Sequence, residues 1–350
     1  MAGKKMTNEF QQEIEEERST LKQDIKKTGG NCAKMLLILA ISTYGIEFAV
    51  IFMIKLINII LSIITKGNLN SNIILHFSKD AESFLVGYLP CIIGDVIAII
   101  IAMNTTKIKI RQEIFSKNRS STKLFVLLGA ASCIGVGMIS NTIYSLYAIV
   151  LNWLKITIPT PDFTFPTQTV YLILFLMYVC LVGPILEEII FRGFILKSMQ
   201  RYGNLTAIIV SAILFSMFHL NLVQFVNPVL MGIILAFIAI KSNSIVPSII
   251  VHIFNNTITF MLAAISLLNM PIVDAIVGFI YFLLGIAALI LFVIRYKEDF
   301  LQTIGEDTVV LKTYEKVKSS FSGRWAMGYI AFYGLFIIAT TLITNITKIK

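Results

Sequence analysis

Uncharged apolar runs recur from residue 35 to the C-terminus, and a chain carrying them has to fold inside a lipid bilayer. A helix that crosses the hydrocarbon layer needs about 20 apolar residues. On that measure spans are expected near 35–64 (with Lys55 inside it), 83–103, 124–151, 169–196, 204–221, 225–240, 245–265, 274–294 and 326–346. Hydrophobic residues make up 57% of the chain, charged residues only 14%, and the mean hydropathy is +0.83. The expected fold class is therefore all-α, a polytopic membrane helix bundle of about 8–9 transmembrane helices.

The net charge of +9 does not point to nucleic acid, because the basic residues fall between alternate spans and do not gather on one soluble face. With a cytoplasmic N-terminus, the inside segments 1–34, 104–123, 192–203, 241–244 and 295–324 hold all but six of the 29 Lys and Arg. The six are Lys55, Lys66, Lys79, Lys155, Lys348 and Lys350. The bias predicts N-terminus in and C-terminus out. Residues 1–34 are charged and show no cleavable signal pattern, so the first span is expected to be its own insertion signal. The Lys- and Ile-rich composition suits a bacterial plasma membrane.

Four regions are expected: a cytoplasmic leader (1–34), leading spans with a Pro-rich outer loop (35–168), a motif-bearing core (169–294), and a basic segment with a final span (295–350). Within the leader, Phe10, Ile14, Leu21 and Ile25 recur among Glu, Gln and Lys, the pattern of a helix on the cytoplasmic surface. Cys32, Cys91, Cys133 and Cys180 have no metal-ligand spacing and read as small apolar residues.

Charged side chains inside spans cost about 2.5–3.5 kcal/mol each and call for a partner or a function. The densest group is EEIIFRG at 187–193. Glu188 and Arg192 stand four apart on one face, acid first, the favourable order for an ion pair. Glu187 is turned about 100° away from Glu188 and stays free. Phe215 and His219 share a face in FSMFHL, as do His252 and Asn256 in HIFNN. Arg201–Asn204 reads as a tight turn, and Glu187 and His219 lie sixteen residues to either side of Gly203, so both sit about 20 Å from that turn. His252 and Asn256 rise about 12–18 Å from the turn at Ser242–Ser244, which places all four side chains in one layer. If the 201–204 turn is cytoplasmic, that layer lies nearer the outer surface.

A carboxylate and an imidazole can deprotonate and position a water. An imidazole and an amide can hydrogen-bond the oxyanion that follows. Each piece alone also fits interhelical bonding, but the cluster as a whole points to hydrolysis. Other polar residues carry less. Asp95 beside Gly94 lacks a GxGD pattern and a partner Asp, and reads as interhelical or cavity-lining. Ser132 lacks a GxSG context, His76 falls in an outer loop, and Asp274 opens a span at its boundary. The missing repeat symmetry counts against a solute transporter.

The ordered motifs EExxxR (Glu187, Glu188, Arg192), FxxxH (Phe215, His219) and HxxxN (His252, Asn256) resemble those of the CAAX protease and bacteriocin-processing family, also called CPBP or Abi, over about 169–265. The resemblance implies a helical intramembrane endopeptidase acting on a membrane-associated, lipidated or leader-bearing peptide. Glu187 with His219 would activate the attacking water, His252 and Asn256 would stabilise the oxyanion, and Glu188 and Arg192 would hold Glu187 in place. A metal-free mechanism is the expectation. Zinc on Glu187, His219 and His252 is the alternative, although HExxH is absent. The rival to proteolysis is a non-catalytic immunity or scaffold protein of the same fold. Expected partners are a peptide or protein substrate and membrane lipid.

Overall fold

A computed structural model describes residues 2–64, 77–106, 108–116, 122–161, 164–305 and 310–349; His76 lies outside the described residues. Among the described residues the structure has ten helices, a short π-type segment at Ile110–Ile114 between the second and third of them, and no strand. They are α1 (Ala2–Ile64), α2 (Lys79–Thr106), α3 (Lys123–Trp153), α4 (Thr169–Gln200), α5 (Asn204–Phe218), α6 (Val226–Ser242), α7 (Val246–Ser266), α8 (Pro271–Ile304), α9 (Thr313–Phe321) and α10 (Arg324–Ile349).

Seven of these, all but α5, α6 and α9, are long and apolar enough to cross a membrane. Large apolar side chains such as Phe48, Ile63, Phe279 and Leu284 stand exposed on them, as a lipid-facing belt requires. The chain is an integral membrane protein. The two shorter apolar helices, α5 and α6, differ in kind. At 15 and 17 residues they reach about 22–26 Å, short of a hydrocarbon layer about 30 Å thick. They are also the most enclosed elements, with Ala207, Val210, Leu235, Ala236 and Ile238 fully buried. The irregular 219–225 connection between them is tolerable at depth because it lies within protein and lines a cavity.

The segments with the excess of Lys and Arg meet at one end of the bundle. Ile245 N–H donates to the Ile114 carbonyl at 3.2 Å, and the Ser116 hydroxyl donates to the Asn243 carbonyl. Asn204 Nδ2 donates to Thr303 O at 2.9 Å, and Lys241 pairs with Asp299 at 2.8 Å. The Tyr202 hydroxyl donates to Asp24 at 2.8 Å. At the opposite end Asn345 Nδ2 donates to Thr157 O at 2.8 Å and Tyr147 to Leu222 O at 2.7 Å. The 201–204 connection is the tight turn its sequence suggests, with Gly203 at φ 111°, where a side chain would be strained.

The leader corrects the sequence reading. It does not lie on the surface as a separate helix; α1 runs unbroken through leader and first span for 63 residues, about 95 Å. No proline interrupts it. Gly29 is the point of closest approach to α9, since a Cβ there would fall 2.3 Å from the Ser320 carbonyl oxygen. Ile25 is buried in this contact while Phe10 and Ile14 remain exposed.

Arg18 donates to Glu315 at 2.9 Å and Lys22 stands 3.4 Å from the same oxygen. The Lys312 N–H, with help from Lys22 and Arg18, holds the Glu315 carboxyl below its ordinary range. A depressed carboxylate stabilises the fold above its unfolded pKa of about 4.3, and that contribution is lost as pH falls through the lowered folded value. The melting-temperature gap between the parent protein and Glu315→Gln should accordingly hold steady from neutral pH down to about pH 5 and close below about pH 4. A gap that widens on acidification would contradict the assignment.

Candidate active site

Helix α4 is not a regular α-helix, and its irregularity builds the site. It loosens into π-type turns over Tyr178–Val182 and Ile189–Leu196, to either side of the two glutamates. In the first of these the Gly183 N–H reaches back five residues to the Tyr178 carbonyl. The Val179 carbonyl would ordinarily accept from residue 183, or in a wider turn from residue 184. Gly183 is engaged with Tyr178, and residue 184 is a proline with no N–H to give. Asn256 of α7 fills the vacancy, its Nδ2 donating to Val179 O at 2.9 Å.

Glu188 is fully buried and accepts from Arg192 Nη1 at 2.8 Å. The same oxygen, Oε1, lies 3.0 Å from His252 Nδ1. Arg192 Nη2 donates in turn to Gly232 O at 3.3 Å, and the guanidinium stands 4.4 Å from the centre of the Phe215 ring. That ring also meets His219 and His252 edge-on, with centroids at 5.2 and 5.8 Å. Phe215 thus walls the cation off from solvent and fixes the planes of both imidazoles.

Glu187 points elsewhere. Its side chain keeps 17% exposure, and Oε2 lies 3.7 Å from His252 Nε2. His252 is held between the two carboxylates, Nδ1 toward Glu188 and Nε2 toward Glu187. His219 closes α5, and its Nδ1 lies 2.9 Å from the Phe215 carbonyl. A carbonyl only accepts, so Nδ1 carries the hydrogen and Nε2 of the neutral ring offers a lone pair. The Asn221 amide donates to the carbonyl of His219 at 2.9 Å.

Glu187, His219, His252 and Asn256 all line one cavity of about 470 Å³. The structure brings together the four residues that the sequence placed at one depth, and it separates Glu187 from the Glu188–Arg192 pair as the helical phase predicts. Two links escaped sequence reasoning. One is the direct contact of His252 with Glu188. The other is Asn255, which lines the cavity and donates to Asn256 Oδ1 at 3.2 Å; its signal was the doubled Asn of HIFNN. Asp95 lines the same cavity, together with Thr43 and Tyr44 of α1. Ser132 donates to Gly129 O within its own helix at 2.8 Å, and Asp274 sits in the first turn of α8. The four cysteines are free thiols, Cys32 and Cys133 buried. Among the described residues no three His, Cys, Asp or Glu side chains are grouped so as to hold a metal ion. The donors present form a carboxylate pair bridged by one imidazole.

A helical membrane bundle with a buried acid–imidazole–amide cluster opening on an internal cavity holds the groups that hydrolysis within a membrane would need. Residues 169–258 match the family model described as Rce1-like, type II CAAX prenyl endopeptidase. This match covers about a quarter of the chain, the part that carries the three motifs, and supports membership of the CAAX protease family. No curated protein and no solved structure matches the chain.

Breaking a buried pair from one side costs about 3–5 kcal/mol, because it strands a charge, whereas replacing both partners can cost little. Arg192→Met should lower stability by about that amount, with much of the loss recovered in the Glu188→Gln/Arg192→Met double variant. Chemical or thermal unfolding in detergent checks this, and a double variant less stable than Arg192→Met would contradict it.

Proposed function

We propose that the protein is an intramembrane endopeptidase that hydrolyses a peptide bond of a membrane-associated, leader- or lipid-bearing peptide by Glu187-activated water. The observation that carries this reading is the unequal fate of the adjacent carboxylates. Glu188 is consumed by Arg192 and His252, while Glu187, whose one basic side-chain partner among the described residues is His252, faces the cavity.

Water in the cavity would give a proton to Glu187 while hydrogen-bonding to Nε2 of His219, and its oxygen would attack the substrate carbonyl. The carbonyl oxygen gains the negative charge. His252 would meet it as an imidazolium donating from Nε2, its charge stabilised by Glu188 at Nδ1, alongside the second N–H of the Asn256 amide. The proton on Glu187 then passes to the leaving nitrogen, the C–N bond breaks, and a carboxylic acid and an amine result. Phe215 and Arg192 act only through the groups they position. The aromatic cavity walls suit an apolar peptide segment or lipid chain, consistent with the prenyl endopeptidases for which the matched family model is named.

Glu187→Ala and His219→Ala should each lower cleavage of a quenched peptide library by at least about 10²-fold, the scale of general-base catalysis. Asn256→Ala should fall by about 10²-fold through loss of an oxyanion donor and melt lower, because it also strands the Val179 carbonyl, while Glu187→Ala and His219→Ala melt as the parent does. Parent-level cleavage by every variant would overturn the site. Activity that survives a strong chelator supports the metal-free route. Inhibition reversed by zinc would instead support Glu187, His219 and His252 as ligands of a catalytic zinc. A folded parent that cleaves nothing, even with its native membrane peptides supplied, would favour a non-catalytic immunity or scaffold role.

A further inference from the structure

Asp95 is a second carboxylate in the cavity that the catalytic scheme does not use. It is 2% exposed, and among the described residues its Oδ1 has no hydrogen-bond partner. An isolated acid is an expensive thing to keep inside a membrane bundle unless something meets it. Arg192 is committed to Glu188 and Gly232, and among the described residues no Lys or Arg lines the cavity. Its mixed lining includes the aromatic rings of Tyr44, Tyr178, Phe218 and Phe260. Asp95, with Oδ1 unpartnered, and Glu187, which meets only His252, set two carboxylates in a low-dielectric site, surroundings that favour a cation.

Depth places this acid beside the chemistry. Asp95 precedes Thr106, at the basic end of α2, by eleven residues, about 16 Å. Glu187 precedes Arg201 by fourteen residues, at most about 21 Å, since eight of them lie in a wider π-type stretch of smaller rise. The offset of at most about 5 Å corresponds to one or two residues of extended peptide.

We infer that Asp95 is a recognition residue for a basic side chain, lysine or arginine, carried by the peptide within one or two residues of the bond that is cut. The inference rests on the protease reading for its position relative to the cut, but the binding of the cation is testable without cleavage. Glu187→Gln protein in detergent is titrated with a short fluorescent Leu/Ala peptide carrying one central lysine, and with the same peptide carrying norleucine. The lysine peptide should bind about tenfold more tightly, the scale of one charge-assisted contact. Asp95→Asn in that background should erase the difference, and Asp95→Glu should retain it. In otherwise unaltered protein, Asp95→Asn should raise KM for lysine- or arginine-bearing library members about tenfold and leave their kcat and the norleucine members unchanged.

Equal affinity for the two peptides overturns the inference, as does a lysine preference that persists in Asp95→Asn. If Asp95→Asn does not fold, the lysine–norleucine comparison on protein that retains Asp95, repeated with Asp95→Glu, decides the question. Failure of the protease reading shows separately, as a parent that cleaves no peptide while the difference in binding is still present.

Discussion

The contact on which the site depends is the ion pair between Glu188 and Arg192, fully buried four residues apart on α4. Taking two charges out of water costs several kcal/mol per ion, and the cost is offset only when the remaining polar atoms also find partners. His252 and the Gly232 carbonyl provide them, and the face of Phe215 covers the guanidinium. The pair therefore fixes more than itself. It locks α4 to α6 through Gly232, and to α7 through His252, and it engages the guanidinium of Arg192. Glu187, one residue earlier, is left with its carboxylate facing the cavity.

The second requirement is controlled irregularity. A straight α4 would satisfy its own carbonyls and offer α7 nothing to hold. The wide turn at Tyr178–Val182 and the proline at 184 release the Val179 carbonyl, which Asn256 then binds. Helix α5 stops at His219, short of a full crossing, and so places an imidazole and a polar turn within the bundle. Both departures from regular helix sit where protein encloses them, the only setting in which a bilayer tolerates them. The same economy explains why α5 and α6, the shortest of the apolar helices, are the most buried elements.

Much of this was legible from the residues. Helical phase separated Glu187 from Glu188, the i, i+4 spacing paired Glu188 with Arg192, and equal distances from Gly203 put Glu187 and His219 at one depth. Those rules need only the period and rise of a helix. What they missed has physical causes as well. Phase arithmetic assumes regular turns, so the π-type stretches of α4 were invisible to it. The His252–Glu188 contact joins residues 64 apart and depends on how α7 docks, which local spacing does not encode. The polar leader was read as a separate surface helix because its charges suit water. Nothing in residues 2–34 stops a helix, however, and its burial comes from α9, far along the chain. Asp95 was visible as an intramembrane acid, but only the packed cavity shows that it stands near Glu187.

The central claim is that two neighbouring carboxylates have opposite environments, one neutralised and sealed, the other free and reachable from the cavity. Dicyclohexylcarbodiimide, which enters apolar membrane sites and couples to accessible carboxyl groups, separates them directly. The folded protein would be labelled in detergent or vesicles and mapped by mass spectrometry of peptides spanning 183–197. The account predicts modification at Glu187 with Glu188 protected, and protection of Glu188 lost in Arg192→Met. Equal or preferential labelling of Glu188 in the intact protein would contradict it.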